Sequence, residues 1–474
     1  MMMTRDGEHR EHPGQGLKVL LIAYEFPPSP SPQSLRWAYL VRELVSNGHQ
    51  VHVLAPEHPG SGLGLPMIPA SVVVHRTFAG PGMGLLNVLA RRGRRRAPTV
   101  PRNDALQSEM RAAPDHEGAP APLQRALNWK GQVHNGVNRL KVAAFHNFQR
   151  LISGWFFPDG RAEWYPWARR RLQHLLSVLQ PDLVISSHEP ATTLSLGLIA
   201  QRAGVPWIAD LGDPVLAPYT PFRWRSRAMA LEREVCAGAA LITTTATDAV
   251  SILRERHAVP ADRFQVFTQG FDGSAPEEQF HNGGDVLELL YTGSFYAFRR
   301  SSALLEAVKA TPGVRLNIAS INVPEEIVAA SRQGDAIRLL GFLPHDQIVC
   351  LQRRHDVLVN IANDDPCQIP GKFYEYLGAG RPILHIGSGQ DAAAELLGKT
   401  GRGWVCAGDV DALAALLNTL RASFRRGGLT QSMDLSRDPV RHYDWREIGA
   451  RLDSAIRAVV GTRLANETRT KYTT

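Results

Sequence analysis

The sequence predicts an α/β protein built from two doubly wound parallel sheets, one in each half of the chain. Three observations carry that prediction. From Lys18 onward, short apolar runs of strand length alternate with amphipathic stretches of helical period, the pattern of parallel strands covered on both faces. The alternation stops at a polar, turn-rich stretch, GFDGSAPEEQFHNGGD at 270–285, and restarts beyond it. At 474 residues the chain also exceeds what one ordinary core organises, so two domains are the default.

In the first half, KVLLIA, QVHVLA, DLVISS, PWIAD and LITTT read as buried strands, with LRWAYLVREL, ATTLSLGLIAQRAG and ATDAVSILRERH as helices between them. The first strand leads into Pro27, Pro28, Ser29, Pro30, Ser31, Pro32, Gln33 and Ser34 where a dinucleotide-binding turn would carry G-x-G-x-x-G, which argues against an NAD enzyme. The rhythm breaks from about Gly60 to Glu163. ARRGRRRAPTVPRND and APDHEGAPAPLQ read as a mobile loop, and LNWKGQVHNGVNRLKVAAFHNFQRLISGWFF as helix. In the second half, LELLYT, VRLNIAS, AIRLLGF, DVLVNIA and RPILHIG read as strands, and YDWREIGARLDSAIRAVV as a last amphipathic helix. The expected division is a disordered tail at 1–16, a first domain at 17–272 with an insertion at about 60–125, and a linker at 273–285. A second domain at 286–442, a helix at 443–460 and a frayed tail at 461–474 follow. Ligands in such sheets bind at the carboxyl ends of the strands, so the cleft between the halves is the expected site.

Composition narrows the class. Hydrophobic content of 44% and charged content of 21% suit a soluble globular protein. No run reaches the ~18–20 apolar residues that cross a bilayer, and the polar start lacks the apolar core of a signal peptide. Cys236, Cys350, Cys367 and Cys406 are scattered, with no C-x-x-C, which fits buried thiols in a reducing compartment and neither a zinc site nor a disulfide frame. The cytoplasm is the expected location. The net charge of +8 is uneven: residues 70–175 hold 17 Lys/Arg against 6 Asp/Glu. Such an excess attracts nucleic acid, anionic lipid or a phosphorylated acceptor; a solvated linker is the alternative for 91–125. GWFFPDGRAEWYPWARRR, 154–171, interleaves aromatics with arginines, as membrane interfaces and single-strand binders do; a helix packed on the core is the alternative. Asn363, Asp364 and Asp365 read as a loop rather than a metal motif.

The most informative stretch is DDPCQIPGKFYEYLGAGRPILHIG, 364–387. Pro370-Gly371 opens a helix carrying Lys372 and Glu375. Free N–H groups and the positive dipole end at a helix start, with a lysine on the first turn, make an anion site, and glycine lets a phosphate approach the backbone. Glu375, one turn further in, is placed to accept hydrogen bonds from a polyol such as ribose.

IPGKFYEYLGAGRPIL is similar to the donor-site helix of retaining, family-four glycosyltransferases of the GT-B fold. LIAYEFPPS with SLRWAYLVRELVSNGHQVHVLAP, DLVISSHEPATTLSLGLIAQRAGVPWIADLGDP, LITTTATDAVSILRERHAVPADRFQVFTQGFD and YTGSF with LLEAV resemble further segments of that family in the same order, covering roughly 17–58 and 155–460. The resemblance implies two Rossmann-like domains facing across a cleft, with the last helix crossing back to the first domain. It implies transfer of a hexosyl group from a nucleoside-diphosphate sugar, UDP before GDP, to a hydroxyl of a lipid-linked or polysaccharide acceptor, with retention of configuration, no metal and no cofactor. Glu375 then matches the second glutamate of the family's E-x7-E pair, while the first falls on Cys367. Gly371 and Lys372 match positions near the diphosphate. The loop after the first strand of the second domain supplies Gly293 and Ser294, with Arg299 or Arg300 as the cation. His188 and Asp213 stand at strand ends on the catalytic and acceptor side, and Ser31, Gln33, Ser34 and Cys367 border the transferred sugar. Gly212, Val215 and Gln269 depart from the usual pattern, as Ser294 and Cys367 do. Expected partners are the nucleotide sugar, a lipid-linked or saccharide acceptor, and an anionic membrane surface through 91–96 and 154–171 at the inner face; no nucleic acid is expected. A sugar-nucleotide epimerase and a non-catalytic sugar-nucleotide-binding protein on the same fold are the alternatives.

Overall fold

The computed structural model describes residues 16–58, 65–84, 157–218, 220–274, 284–295, 301–320, 323–363, 365 and 368–473. The first half forms a parallel sheet in the order β3-β2-β1-β4-β5-β6-β7. Its strands are β1 (Lys18–Ala23), β2 (Gln50–Pro56), β3 (Val73–Thr77), β4 (Leu183–Ser187), β5 (Trp207–Leu211), β6 (Leu241–Thr244) and β7 (Phe264–Val266). Helices α1 (Pro32–Ser46), α2 (Tyr165–Leu179), α3 (Thr192–Arg202), α4 (Arg225–Gly238) and α5 (Thr247–His257) connect them. The second sheet, also parallel, runs β10-β9-β8-β11-β12-β13. It comprises β8 (Leu287–Thr292), β9 (Val314–Ala319), β10 (Ile337–Leu339), β11 (Val357–Ile361), β12 (Ile383–Ile386) and β13 (Gly403–Cys406). Its helices are α6 (Ser302–Ala310), α7 (Glu325–Ser331), α8 (His345–Arg354), α9 (Gly371–Gly378), α10 (Ala392–Thr400) and α11 (Val410–Arg425). A last helix, α12, spans Trp445–Thr473.

The alternation along β1 explains why its run is apolar throughout. Leu20 and Ile22 join a core with Leu172 and Leu175 of α2 and Leu194 of α3. Val19, Leu21 and Ala23 join the opposite core with Trp37 and Leu40 of α1. Side chains of a strand alternate between faces, and both faces here carry helices. α1 starts cleanly because Ser31 caps it, accepting from the Ser34 N–H, with Pro32 at the first helical position.

The last helix belongs to the first sheet's core: Trp445, Ile448, Leu452, Ala455 and Ile456 pack with Trp37, Leu40 and Leu44 of α1. Glycine permits this contact, since a Cβ on Gly449 would lie 2.4 Å from the Cβ of Glu43. The helix expected over 443–460 therefore begins at Trp445 and continues to Thr473, through the stretch expected to fray. β3, β7 and β13 are strands that the sequence pattern did not single out; all lie at or next to a sheet edge, where short, half-polar runs suffice. The basic segment 91–96 and most of the insertion at 60–125 lie outside the described residues, as do 275–283 of the linker. Among the described residues no helix is long and apolar enough to cross a membrane.

Candidate active site

In an open parallel sheet the ligand crevice forms where strand order reverses, because adjacent loops then leave in opposite directions. In the second sheet that point lies between β8 and β11, and in the first between β1 and β4. The loop after β8 carries Gly293 and Ser294, and the chain beyond β11 leads to α9. The loop after β1 carries the proline-serine run, and β4 runs directly into His188. The topology thus brings the sequence-distant candidates to two facing strand-end crevices.

On the second domain, α9 begins at Gly371 behind Pro370, and among the described residues no side chain caps it. Lys372 Nζ lies 2.9 Å from Glu375 Oε2, and the Gln352 amide donates to the same oxygen at 3.3 Å. Gln352 also reaches Thr292 Oγ1, and the Tyr376 hydroxyl bonds the Thr292 hydroxyl and backbone, so α9 is bolted to the end of β8 just ahead of Gly293. Gly293 has φ 134, a conformation that favours glycine. Burial alone would raise the Glu375 carboxyl; Lys372, His345 and Gln352 together overcome it and hold the group below its ordinary range. Glu375 is thus a buried, ionised acceptor with a cation one turn away.

The first domain closes over this helix. The Gln269 side chain packs 3.6 Å from where a Cβ on Gly371 would stand. Tyr39 of α1 meets His345 at the start of α8, hydroxyl to Nε2, at 2.9 Å, and stacks on Trp445. Arg42 pairs with Asp272 at 3.0 Å; burial opposes that carboxylate, but Arg42 and Ser274 hold its pKa down to about 2. Burial keeps His345 below the usual imidazole range and therefore neutral at pH 7. Tyr39, Asp272, His345, Gln352, Glu375 and Trp445 surround one narrow void between the two halves. Its volume is ≈ 10 Å³, on a scale where one water needs about 10–15 Å³.

On the first domain, His188 is 5% exposed, its backbone N–H donates to the Asp210 carbonyl, and its Nδ1 has no hydrogen-bond partner among the described residues. Burial lowers its pKa, against the pull of Asp159, Asp213 and Asp210, so the ring is a neutral base. Asp213 is half-buried in the loop after β5. Gln33 approaches the same loop, its Nε2 3.4 Å from where a Cβ on Gly212 would stand. Ser31 and Ser34 stand at the start of α1. Ser34 is fully buried and its hydroxyl meets that of Ser31, so both serve the start of α1. Arg299, Arg300 and Cys367 lie outside the described residues. Of the aromatic-basic run, 154–156 are outside them too. Trp164 is core, donating to Thr77 Oγ1, and Trp167 packs edge-on against Phe78.

Several site residues carried no signal in the sequence. Tyr39, His345 and Gln352 lie on ordinary helix faces, and only tertiary packing brings them to Glu375. Arg36 and Asp210 form a fully buried two-pronged ion pair at 2.7 and 3.0 Å, with Thr243 on the same carboxylate. The one signal in the sequence is that Arg36 interrupts the apolar stripe of α1, between Leu35 and Trp37.

The model of the glycosyl transferase 4-like domain matches residues 33–270. Among solved structures, a glycosyltransferase from Rickettsia africae aligns with TM-score 0.55 at 10% identity, covering 94% of this chain and 99% of its own. WaaG, a glycosyltransferase involved in lipopolysaccharide biosynthesis, aligns with TM-score 0.50 at 14% identity, covering 90% and 98%. At such identities these two likenesses concern the fold. No curated protein gives a significant match. The matched domain spans half of the chain, including the loop after β4 that carries His188, and the two-sheet architecture is that of the structural neighbours: the chain belongs to the glycosyl transferase 4-like family and has the GT-B fold.

Proposed function

We propose that the protein transfers a hexosyl group from a nucleoside-diphosphate sugar to a hydroxyl of a lipid-linked or polysaccharide acceptor, with retention of configuration. One observation carries the reading: a buried, ionised Glu375 and its neighbour Lys372 stand at the amino end of α9, beside the loop of Gly293 and Ser294 and on the border between the two domains. Glu375 would accept the two ribose hydroxyls. Gly371, Lys372, Gly293 and Ser294 would cradle the diphosphate, with Arg299 or Arg300 adding charge in place of a metal. Binding requires Lys372 to exchange its carboxylate partner for phosphate oxygens, a swap of one charge-assisted bond for another.

On the acceptor side, His188 and Asp213 would orient the attacking hydroxyl, with Gln33 and Cys367 beside the sugar. In a front-face transfer the acceptor oxygen bonds to the anomeric carbon on the side from which the diphosphate departs. The bond to the diphosphate oxygen breaks, and that oxygen receives the acceptor's proton. The protein then contributes position and charge stabilisation. Activity at the inner face of the membrane, in envelope or exopolysaccharide assembly, follows from a lipid-linked acceptor and the basic insertion.

The test is a melting-temperature screen against a panel of nucleotide sugars, followed by transfer assays with product stereochemistry read by NMR. A ligand at 100 times its Kd stabilises by about 2.7 kcal/mol. A UDP-hexose should raise the midpoint, and Glu375→Gln should abolish the rise. A rise that survives Glu375→Gln removes the assigned site; binding without turnover for any acceptor points to a non-catalytic binding protein.

A further inference from the structure

A second surface stands apart from the donor crevice. The turn Phe222–Trp224 precedes α4 in the segment that leaves the carboxyl end of β5. Phe222 is 90% exposed. Arg223, Arg225 and Arg227 are exposed around it, and no acidic residue occurs between Val215 and Leu231. The guanidinium groups of Arg223 and Arg227 lie 5.4 and 5.2 Å from the Trp224 ring, and Arg227 also covers Phe157 at 6.0 Å. Trp224 in turn meets Phe157 at 5.7 Å between ring centroids. Two residues on, the buried Asp159 carboxylate bonds Thr192 at the start of α3, the helix that follows His188. The aromatic-arginine cluster therefore shares one end of the sheet with His188.

We propose that Phe222, Arg223, Arg225 and Arg227 form a docking surface for an anionic phospholipid bilayer, with the Phe222 ring at the boundary between headgroups and acyl chains and the arginines on lipid phosphates. Charge complementarity and the exposed Phe222 ring argue for this occupant: interfacial anchors combine an apolar ring with guanidinium groups whose stems lie on apolar surface. Single-stranded nucleic acid fits less well, because stacking needs open aromatic faces and Trp224 is already covered by two arginines. The surface rests on the glycosyl-transfer reading only for its benefit, the delivery of a membrane-borne acceptor to the His188 end of the cleft. The binding itself does not depend on that reading.

The experiment is co-sedimentation of the full chain with vesicles of phosphatidylglycerol and phosphatidylcholine, with pure phosphatidylcholine vesicles, and with a single-stranded oligonucleotide. Partition should require phosphatidylglycerol and weaken with salt. Each arginine should contribute roughly fivefold, so Arg223→Gln with Arg225→Gln should lower partition roughly 25-fold. Adding Phe222→Ser should lower it about tenfold more, while Phe222→Trp should retain it. Melting midpoints and their rise with nucleotide sugar should be unchanged in all variants, which separates this surface from the donor site. Absence of wild-type binding to anionic vesicles, equal partition of the triple variant, or preference for the oligonucleotide each overturns the proposal.

Discussion

Replacing Lys372 by methionine isolates the electrostatic logic of α9, since the side chain keeps its length and apolar stem and loses its cation. In the wild-type protein burial is the largest influence on Glu375 and pushes its carboxyl up, while Lys372 at 2.9 Å is the largest opposing one. Without the lysine, Glu375 retains only Gln352 at 3.3 Å once His345, whose own pKa is lowered, has lost its proton, so burial wins and its pKa rises above the ordinary carboxylate range. The sign of the pH dependence follows. In the wild type the depressed folded pKa contributes stability that is present above the unfolded value of about 4.3 and lost as pH falls through the folded pKa. In Lys372→Met the raised folded pKa makes stability fall as pH rises from about 4.3 through the new value. The gap between the two proteins should therefore be smallest where both carboxyls are protonated, below about pH 4, and widen towards pH 8. Stranding a fully buried carboxylate costs about 3–5 kcal/mol. Lys372 is 33% exposed, so solvent screens part of the pair and about 1–3 kcal/mol is the expected gap. For a domain of this size that is roughly 2–12 °C. Melting midpoints across pH 5–8.5 for the wild type, Lys372→Met, Glu375→Gln and the double variant measure it. A pH-independent gap, or a double variant no more stable at pH 8 than Lys372→Met, would refute the reasoning.

Three further outcomes are expected. Arg36→Met strands the Asp210 carboxylate and should cost about 3–5 kcal/mol in urea unfolding, most of it recovered when Asp210→Leu is added; a cost under about 1 kcal/mol would show the pair to be dispensable. Gly378→Ala places a Cβ 2.2 Å from the Phe271 ring and should cost about 1–3 kcal/mol. Because α9 carries Glu375, the same variant should weaken nucleotide-sugar binding by calorimetry, and an unchanged Kd would uncouple the helix from the donor site. His188→Asn should lower kcat by about 10²–10⁴-fold with the nucleotide-sugar melting shift intact; loss of that shift instead would move His188 to the donor side.

Much of the architecture was legible because parallel strands buried on both faces read as unbroken apolar runs, as at Val19–Ala23, and glycine and proline punctuate the ends of α9. Edge strands such as Val73–Thr77 lack that signature, being half-exposed and polar. The continuation of the last helix past Val460 was equally silent, since a polar helical stretch and a frayed tail share one composition. For the candidate site, the sequence located Gly371, Lys372 and Glu375 through local spacing. It carried no sign that Ser34 is fully buried against Ser31 at the cap of α1.

What the sequence determined by itself is the succession of strands and helices, the two-part division and the motif on α9, because each depends on residues within a few turns of one another. Only the tertiary structure decided that Tyr39 meets His345, that Gln352 shares the Glu375 carboxylate, and that Arg36 and Asp210 share one buried pair. Those contacts join residues as many as 306 positions apart. No local pattern encodes them: they arise from strand order, which places particular strand ends side by side, and from the return of the last helix onto α1, which draws the two halves together.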